Sequence, residues 1–190
     1  MALTYEEAPA FGALRQGEIV GPLWTHHAAY PPMPLARNKP VAVTSTLVDL
    51  SVVLSPDCDL LWDYEARFDL LAEQDSSAEH PNIVSEVQVC ALHSYGQLRP
   101  RFAGDRPGWT RVTGNQDERY HRLEAARVGA SDLYFHDLFI DFKKVTSVRT
   151  ESLYEGLTLE SVRRAALLPE TYVHHLVHRY SSFVARVAIP

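Results

Sequence analysis

The chain has 190 residues, of which 46% are hydrophobic and 22% are charged, and its formal net charge is -6. This length fits one globular domain that needs no metal or disulfide to fold, and two cysteines are too few for a disulfide scaffold. No apolar run approaches the roughly 18 residues of a membrane span, and the acidic start MALTYEEAPAFG lacks the basic opening of a secretion signal. We therefore expect a cytoplasmic protein without a membrane partner.

The charge balance limits what the surface can bind. Of the 18 basic residues 15 are arginines, and they are densest between Arg99 and Arg127. A protein that holds nucleic acid by its backbone usually concentrates such residues on one face. The sequence allows one local basic strip but excludes a generally cationic surface.

The first part of the chain predicts strands separated by loops. Residues 1–13 are interpreted as a loosely held arm, and a strand is predicted over 16–20, where a Gly-Pro pair ends it. Residues 28–40 contain four prolines and indicate an extended loop. Strands are predicted over 41–44 and 46–55, the latter well buried because its apolar run carries no helical period.

A helix is predicted over 60–71, where apolar residues recur at intervals of three and four, with Asp59 as its cap. Residues 73–81 are polar and predict a loop. Further strands are predicted over 83–92, 109–112, 120–123 and 133–148. The tail predicts helices over 158–166 and 170–187, the second with an apolar stripe of Val173, Leu176, Val177, Tyr180, Phe183, Val184 and Val187.

Strands first, helices last and one helix between them predict an α+β fold. The simplest such fold is a small curled antiparallel β-barrel with an inserted helix and a C-terminal amphipathic helix. The expected organisation is an arm over 1–13, a barrel with long loops over 14–156 and a helical segment over 157–190 packed on the barrel.

Three fragments resemble, in order, strands of the MazF/PemK family of toxin-like barrels. QGEIV (16–20) is similar to the family's opening Gly-Asp-Ile-Val strand, and VVLSPD (52–57) to the strand and turn that follow its Arg-Pro pair. IDFKKVTSV (140–148) resembles the late strand written there as Asp-Gln-basic-Arg. The resemblance implies an SH3-like barrel, with the amphipathic tail as its terminal helix.

The resemblance also implies an activity. Members of that family are mostly dimeric endoribonucleases specific for single-stranded RNA, and an antitoxin inhibits them by occupying the RNA groove. Their chemistry needs no metal, so no cofactor is expected here. An Arg before the second strand stabilises charge on the phosphorane, and a Thr or Ser after the next strand contacts the phosphate. Electrostatic donors of this kind are worth about 3–4 kcal/mol each.

This chain departs from that pattern at both places. The alignment puts Asp49 where the Arg would stand, and a carboxylate repels a phosphate. It puts His93, followed by Ser94, at the Thr position. A histidine could act as acid or base towards a 2′-hydroxyl, but the cation would have to be Arg99 or Arg101 from the following loop.

Two other groups of residues could carry chemistry. Cys58, Cys90 and His93 could supply three zinc ligands, with Asp57 or Asp59 as the fourth, although the spacing is not a known zinc pattern and both cysteines could be small buried hydrophobes. The remaining candidates are aromatic residues beside arginines, which could stack on bases or anchor the core. They are Trp24, Tyr30, Trp109 and Tyr120, beside Arg106, Arg111 and Arg119.

The sequence favours a regulated, non-catalytic protein-interaction module of a toxin–antitoxin or antiviral-defence system, which binds a protein partner and could form a homodimer. The groove would be lined by Asp49, Ser55, Asp57, Cys58, Asp59 and Arg101. The alternative is a ribonuclease that uses His93, Ser94 and Arg99. A guanidinium beside the His93 imidazole, with Asp49 turned away, would favour this alternative.

Overall fold

The computed structural model describes residues 4–29, 42–69 and 80–187. Most of the proline-rich loop, including Tyr30, and most of the polar loop over 73–81 lie outside this range, whereas residues 28 and 29, predicted as loop, end the strand β2. The strands are β1 (Glu18–Gly21), β2 (Leu23–Ala29), β3 (Ala42–Val48), β4 (Ser51–Val53), β5 (Glu86–Ser94), β6 (Tyr120–Leu123), β7 (Ala126–Arg127), β8 (Tyr134–Phe135), β9 (Leu138–Arg149) and β10 (Arg163–Leu167). The α-helices are α1 (Asp57–Tyr64), α2 (Tyr95–Leu98), α3 (Arg106–Thr113), α4 (Thr150–Thr158) and α5 (Glu170–Val187).

Six strands form one curled antiparallel sheet, an open half-barrel in the order β10-β1-β4-β5-β9-β6. β2 and β3 form a separate two-stranded ribbon, and β7 and β8 form a second one. A π-helical turn, Glu65–Asp69, follows α1, and a 3₁₀ turn, Arg99–Phe102, follows α2. The predicted α+β class with a curled antiparallel sheet and a C-terminal amphipathic helix is confirmed.

The central strands are buried on both faces. Val52 packs into a cluster with Leu176 of α5, whereas its neighbour Val53 packs into a second cluster with Leu60 of α1 and Leu153 of α4. Successive strand residues point to opposite faces, so both faces need apolar side chains. This double burial explains why the sequence of β4 shows an unbroken apolar run instead of an alternating one.

The β2–β3 ribbon continues the β1–β4 pair beyond a bend. Gly21 lies at the end of β1. The bend between the strands β3 and β4 is at Asp49. A Cβ atom added to Gly21 would lie 2.0 Å from the backbone oxygen of Asp49. The backbone segments at Gly21 and Asp49 therefore approach each other so closely that only glycine fits at position 21.

One predicted strand is a helix. Residues 109–112 belong to α3, which the Asp105 carboxylate caps by accepting a hydrogen bond from the Gly108 N–H at 2.8 Å. Pro107 lies in the first turn of α3, where its missing N–H costs nothing. The Asp-Arg-Pro start is a helix signal that outweighs the β-branched residues after it.

The predicted helix over 158–166 is also wrong. α4 ends at Thr158, and the following chain forms β10, which pairs with β1. The Arg164 guanidinium, 8% exposed, lies 3.3 Å from the fully buried Glu18 carboxylate of β1. Pairing and this buried ion pair override the helical propensity of the Arg-Arg-Ala-Ala-Leu segment.

The start of the chain is held more firmly than predicted. Tyr5 is fully buried and contacts Phe135 edge-on at 5.2 Å between ring centroids. Backbone hydrogen bonds join Glu6 to Leu167 in both directions. The described part of the arm is therefore an integral part of the fold.

α5 has the bounds predicted for it and packs on the sheet through most of its apolar stripe, whereas Val184 of the predicted stripe is 46% exposed. Val173 and Leu176 are buried, whereas His174 and His178 are exposed, as the pattern predicted. Among the described residues, no helix is long and apolar enough to cross a bilayer.

His121 of β6 is buried beneath α5. Its ring is 1% exposed, lies 5.3 Å from the ring of His175, and has no hydrogen-bond partner at either nitrogen among the described residues. Burial, followed by the charges of Arg179 and His175, lowers its pKa to about 3. His121 is therefore neutral in the folded protein at neutral pH.

The close approach at Gly21 predicts a stability effect. We expect Gly21→Ala to destabilise the protein by about 1–3 kcal/mol, because the backbone at Asp49 must move. The control is Gly96→Ala in α2, where the added Cβ meets only the Ser94 hydroxyl at 4.0 Å and the variant should be neutral or slightly more stable. Urea denaturation measures both, and equal stabilities would contradict the account.

The buried His121 predicts acid sensitivity. Below about pH 6.5 the unfolded chain binds a proton at His121 that the folded protein excludes until about pH 3. As the pH falls from about 6.5, the free energy of unfolding should therefore decrease by up to about 1.4 kcal/mol per pH unit. In urea titrations between pH 7 and 4, His121→Leu should remove this part of the slope, whereas the exposed His174→Gln should not. Parallel curves for wild type and His121→Leu would refute this account.

Candidate functional site

A bulge in β9 brings several charged residues to one place. β5 and β9 pair with Cys90 opposite Val145 and Leu92 opposite Ile140, so residues 141–144 lie opposite the single residue Ala91. Bulges of this kind bend a strand and re-aim its side chains, and they are common beside active sites. Here the bulge carries Asp141, Lys143 and Lys144.

The centre of the bulge is the fully buried carboxylate of Asp141. The Arg119 guanidinium donates two hydrogen bonds to it, from Nε to Oδ1 at 2.7 Å and from Nη2 to Oδ2 at 2.6 Å. The Lys143 N–H donates to Oδ1 at 3.1 Å. The Arg101 guanidinium lies 3.5 Å from Oδ2. The hydrogen bonds with Asp141 raise the pKa of Arg119, so this cation is fixed in place.

His93, at the end of β5, faces the same charges. It is half-buried, and its Nε2 is buried without a hydrogen-bond partner among the described residues. Burial, and after it the positive charge of Arg101, lowers the pKa of His93, while Asp141 opposes the shift and Lys144 adds to it. The imidazole is therefore neutral at neutral pH and able to accept a proton. We call His93, Arg101, Arg119, Asp141 and Lys144 the bulge cluster.

The bulge cluster has an excess of positive charge on a protein whose net charge is negative. The cluster contains three cations, Arg101, Arg119 and Lys144, and one carboxylate, Asp141, while Asp117 outside it also acts on Arg119. Arg101 and Arg119 are 43% and 35% exposed, so both remain open to a ligand. Arginines in such a position suit the bidentate binding of a phosphate or a carboxylate.

Two residues expected to act with His93 have structural tasks. The Ser94 hydroxyl caps α2 by accepting from the Gln97 N–H at 3.4 Å. The Arg99 guanidinium donates to the Phe102 carbonyl at 2.7 Å and lies 5.5 Å from the centre of the Trp109 ring. Arg101, not Arg99, is the loop arginine that lies on Asp141 and whose charge acts on His93.

Asp49 is the residue that the sequence alignment places at the family's Arg position. It is exposed at the bend between β3 and β4. The carboxylate that acts on His93 is that of Asp141, from the neighbouring strand. Asp49, which stands at the family's Arg position, is therefore not the carboxylate that offsets the positive charge around His93.

The other predicted groove residues lie at the opposite end of β4. The Ser55 hydroxyl is buried and accepts a hydrogen bond from the Gln88 N–H at 2.9 Å. Asp57 accepts from the Gln16 N–H at 2.6 Å and lies 3.6 Å from Arg15. Asp59 lies inside the first turn of α1, so it does not cap the helix. These residues anchor the start of α1 and do not form one groove with Asp49 and Arg101.

The structure does not bring together the three proposed zinc ligands. Cys58 is exposed on α1, whereas Cys90 is buried and its thiol donates to the Asp141 carbonyl at 3.3 Å. Burial, with the charge of Asp141, raises the pKa of Cys90 to about 12, which disfavours the thiolate that zinc requires. Across residues 4–29, 42–69 and 80–187, no group of three or more His, Cys, Asp or Glu could hold a metal ion.

Sequence reasoning missed Asp141 and Lys144 as members of the site. The available signal was a charged residue inside the apolar Phe-Ile-Asp-Phe run of β9, because a buried carboxylate requires a partner. From the sequence, Arg119 is expected only to lie beside aromatic residues that could stack on bases. Its role as the partner of Asp141 depends on the pairing of β6 with β9.

Comparisons of this chain with models of protein families, with curated proteins and with solved structures found no match. The resemblance to the MazF/PemK family therefore depends on the three sequence fragments alone.

The buried carboxylate predicts the energetics of the bulge. Asp141→Asn should destabilise the protein by about 2 kcal/mol, less than for a fully enclosed ion pair because Arg119 can turn towards water. The control is Asp132→Asn, whose fully exposed carboxylate lies 3.8 Å from Arg127 and should have no measurable effect. Thermal and urea denaturation compare the two, and equal effects would show that the bulge does not depend on Asp141.

Proposed function

We propose that the bulge cluster binds a phosphodiester of single-stranded RNA and that the protein is an endoribonuclease in which His93 transfers the proton. The observation that carries this proposal is the pair of guanidiniums on the Asp141 carboxylate, Arg101 at 3.5 Å and Arg119 at 2.6 Å. Asp141 lies on the strand that pairs with the strand of His93. The cations of the bulge cluster outnumber its one carboxylate and supply the charge that an incoming phosphate requires. Asp49 is not among the charges that shift the pKa of His93.

The chemistry follows from these groups. His93 accepts the proton of a 2′-hydroxyl, whose oxygen forms a bond to the adjacent phosphorus. The bond from phosphorus to the 5′-oxygen breaks, and this oxygen takes a proton from solvent water and leaves as a hydroxyl. The products are a cyclic phosphate and a 5′-hydroxyl end. Arg101 stabilises the negative charge that develops on the phosphorane oxygens, and Arg119, held by Asp141, adds a fixed positive potential. A neutral imidazole at neutral pH suits the role of base.

Other parts of this proposal come from the resemblance to the MazF/PemK family. They are an SH3-like barrel of that type, a homodimer, a cytoplasmic location and inhibition by an antitoxin-like protein that covers the cluster. The curled antiparallel half-barrel and the terminal helix support the first of these, the barrel.

A second candidate is a non-catalytic module whose bulge cluster binds an acidic segment of a protein partner. One observation favours it: the Nε2 of His93 is buried, and Ser94 is already engaged as a helix cap. In this case Arg101 and Arg119 would bind carboxylates of the partner, and RNA would not be cleaved.

Cleavage of mixed single-stranded RNA by purified protein tests the first proposal. We expect His93→Ala and Arg101→Ala each to lower the rate about 100-fold or more, since the first loses the base and the second an electrostatic donor. Arg127→Ala removes the same charge from an exposed position on β7 and should leave the rate unchanged.

The pH dependence separates a catalytic from a structural effect. Because Arg101 lowers the pKa of His93, its removal should move the acid limb of the pH–rate profile to higher pH. A destabilised but otherwise normal enzyme would keep the limb in place. Absence of cleavage by the wild type would favour the non-catalytic module.

A further inference from the structure

An exposed aromatic residue lies next to the bulge cluster. Tyr95, the first residue of α2, follows His93 by two positions and is 53% exposed. The adjacent Gly96 leaves open space, since a Cβ added there would meet only the Ser94 hydroxyl at 4.0 Å. A flat ring is therefore accessible beside a cationic site.

The contact with Trp109 holds the Tyr95 ring in place. Tyr95 contacts Trp109 edge-on, with 5.3 Å between the ring centroids and 86° between the planes. Trp109 in turn lies 5.3 Å from Phe139, which is fully buried in β9 and pairs with His93. The guanidinium of Arg99 lies near the Trp109 ring. A ring held in this way loses little conformational freedom when a ligand stacks on it.

Further aromatic contacts connect Trp109 to the bulge cluster. Phe102 lies 5.7 Å from Trp109 on one side and 5.5 Å from Tyr120 on the other. The Arg119 guanidinium lies 4.8 Å from the centre of the Tyr120 ring. Three ring-to-ring contacts, each shorter than 6 Å, therefore connect the exposed Tyr95 to an arginine of the bulge cluster.

We propose that Tyr95 forms a base-stacking subsite, on which a nucleobase of the RNA strand lies while a phosphate of the same strand binds the bulge cluster. This proposal rests on the proposed function and adds the part of the ligand that Tyr95 recognises. Stacking on an aromatic ring is tolerant of base identity because every base has a π-face. Tyr95 is thus a positioning residue that places the strand relative to His93.

Binding of a short single-stranded oligonucleotide with 2′-deoxyribose throughout tests the subsite, because no 2′-hydroxyl is present and the probe stays intact. Fluorescence anisotropy at fixed ionic strength gives the Kd. Tyr95→Ala should weaken binding about 10-fold, whereas Tyr95→Phe, which keeps the ring, should bind as the wild type does. Tyr134→Ala, which removes a similarly exposed ring on β8, should have no effect.

A second probe separates stacking from general damage. In the wild type, an oligonucleotide with one abasic position should bind about 10-fold more weakly when that position meets Tyr95, and this dependence should vanish in Tyr95→Ala. Unchanged thermal stability of Tyr95→Ala would show that the variant is folded. A variant that fails to fold leaves the abasic series in the wild type as the deciding measurement.

The two proposals fail in different ways. Binding that depends on Arg101 but neither on Tyr95 nor on any base would overturn the subsite and leave phosphate binding intact. Failure of the wild type to bind the probe, or binding that Arg101→Ala does not weaken, would overturn both.

Discussion

The buried carboxylate of Asp141 is the constraint around which the candidate site is organised. A buried charge needs a partner of opposite charge, and Asp141 has Arg119 as a bidentate partner and Arg101 nearby. The bulge that carries Asp141 makes this possible, since it turns four residues of β9 away from the regular pairing with β5. One negative charge thus gathers cations beside His93, and more positive charge remains than it neutralises.

The part of the fold that depends on local pattern could be predicted from the sequence. The stripe of α5 and the apolar runs of β4 and β5 indicate their elements directly, because burial fixes the spacing of apolar residues. The sequence predictions of secondary structure are wrong where tertiary contacts override the local helix or strand propensity. The segment of β10 has helix-forming residues, yet it is a strand because β1 offers backbone partners and Glu18 binds Arg164.

The site was predictable in part. His93 and Arg101 follow from the position of His93 after a strand and from the density of arginines in the next loop. Asp141 and Lys144 could not be placed beside them, because their position depends on a register shift that no local pattern encodes. The alignment of short fragments gives Asp49 a position in the chain, but it does not show that the charges acting on His93 come from Arg101, Asp141 and Lys144.

The Arg179 guanidinium of α5 donates hydrogen bonds to the carbonyls of Asn115, Asp117 and Tyr120, and so fixes the loop that carries Arg119. These three acceptors belong to the middle of the chain, whereas their donor belongs to its last helix. During translation, the half-barrel strands up to β9 therefore emerge before the residue that fixes this loop. The loop that carries Arg119 therefore acquires these three contacts only after α5 has left the ribosome.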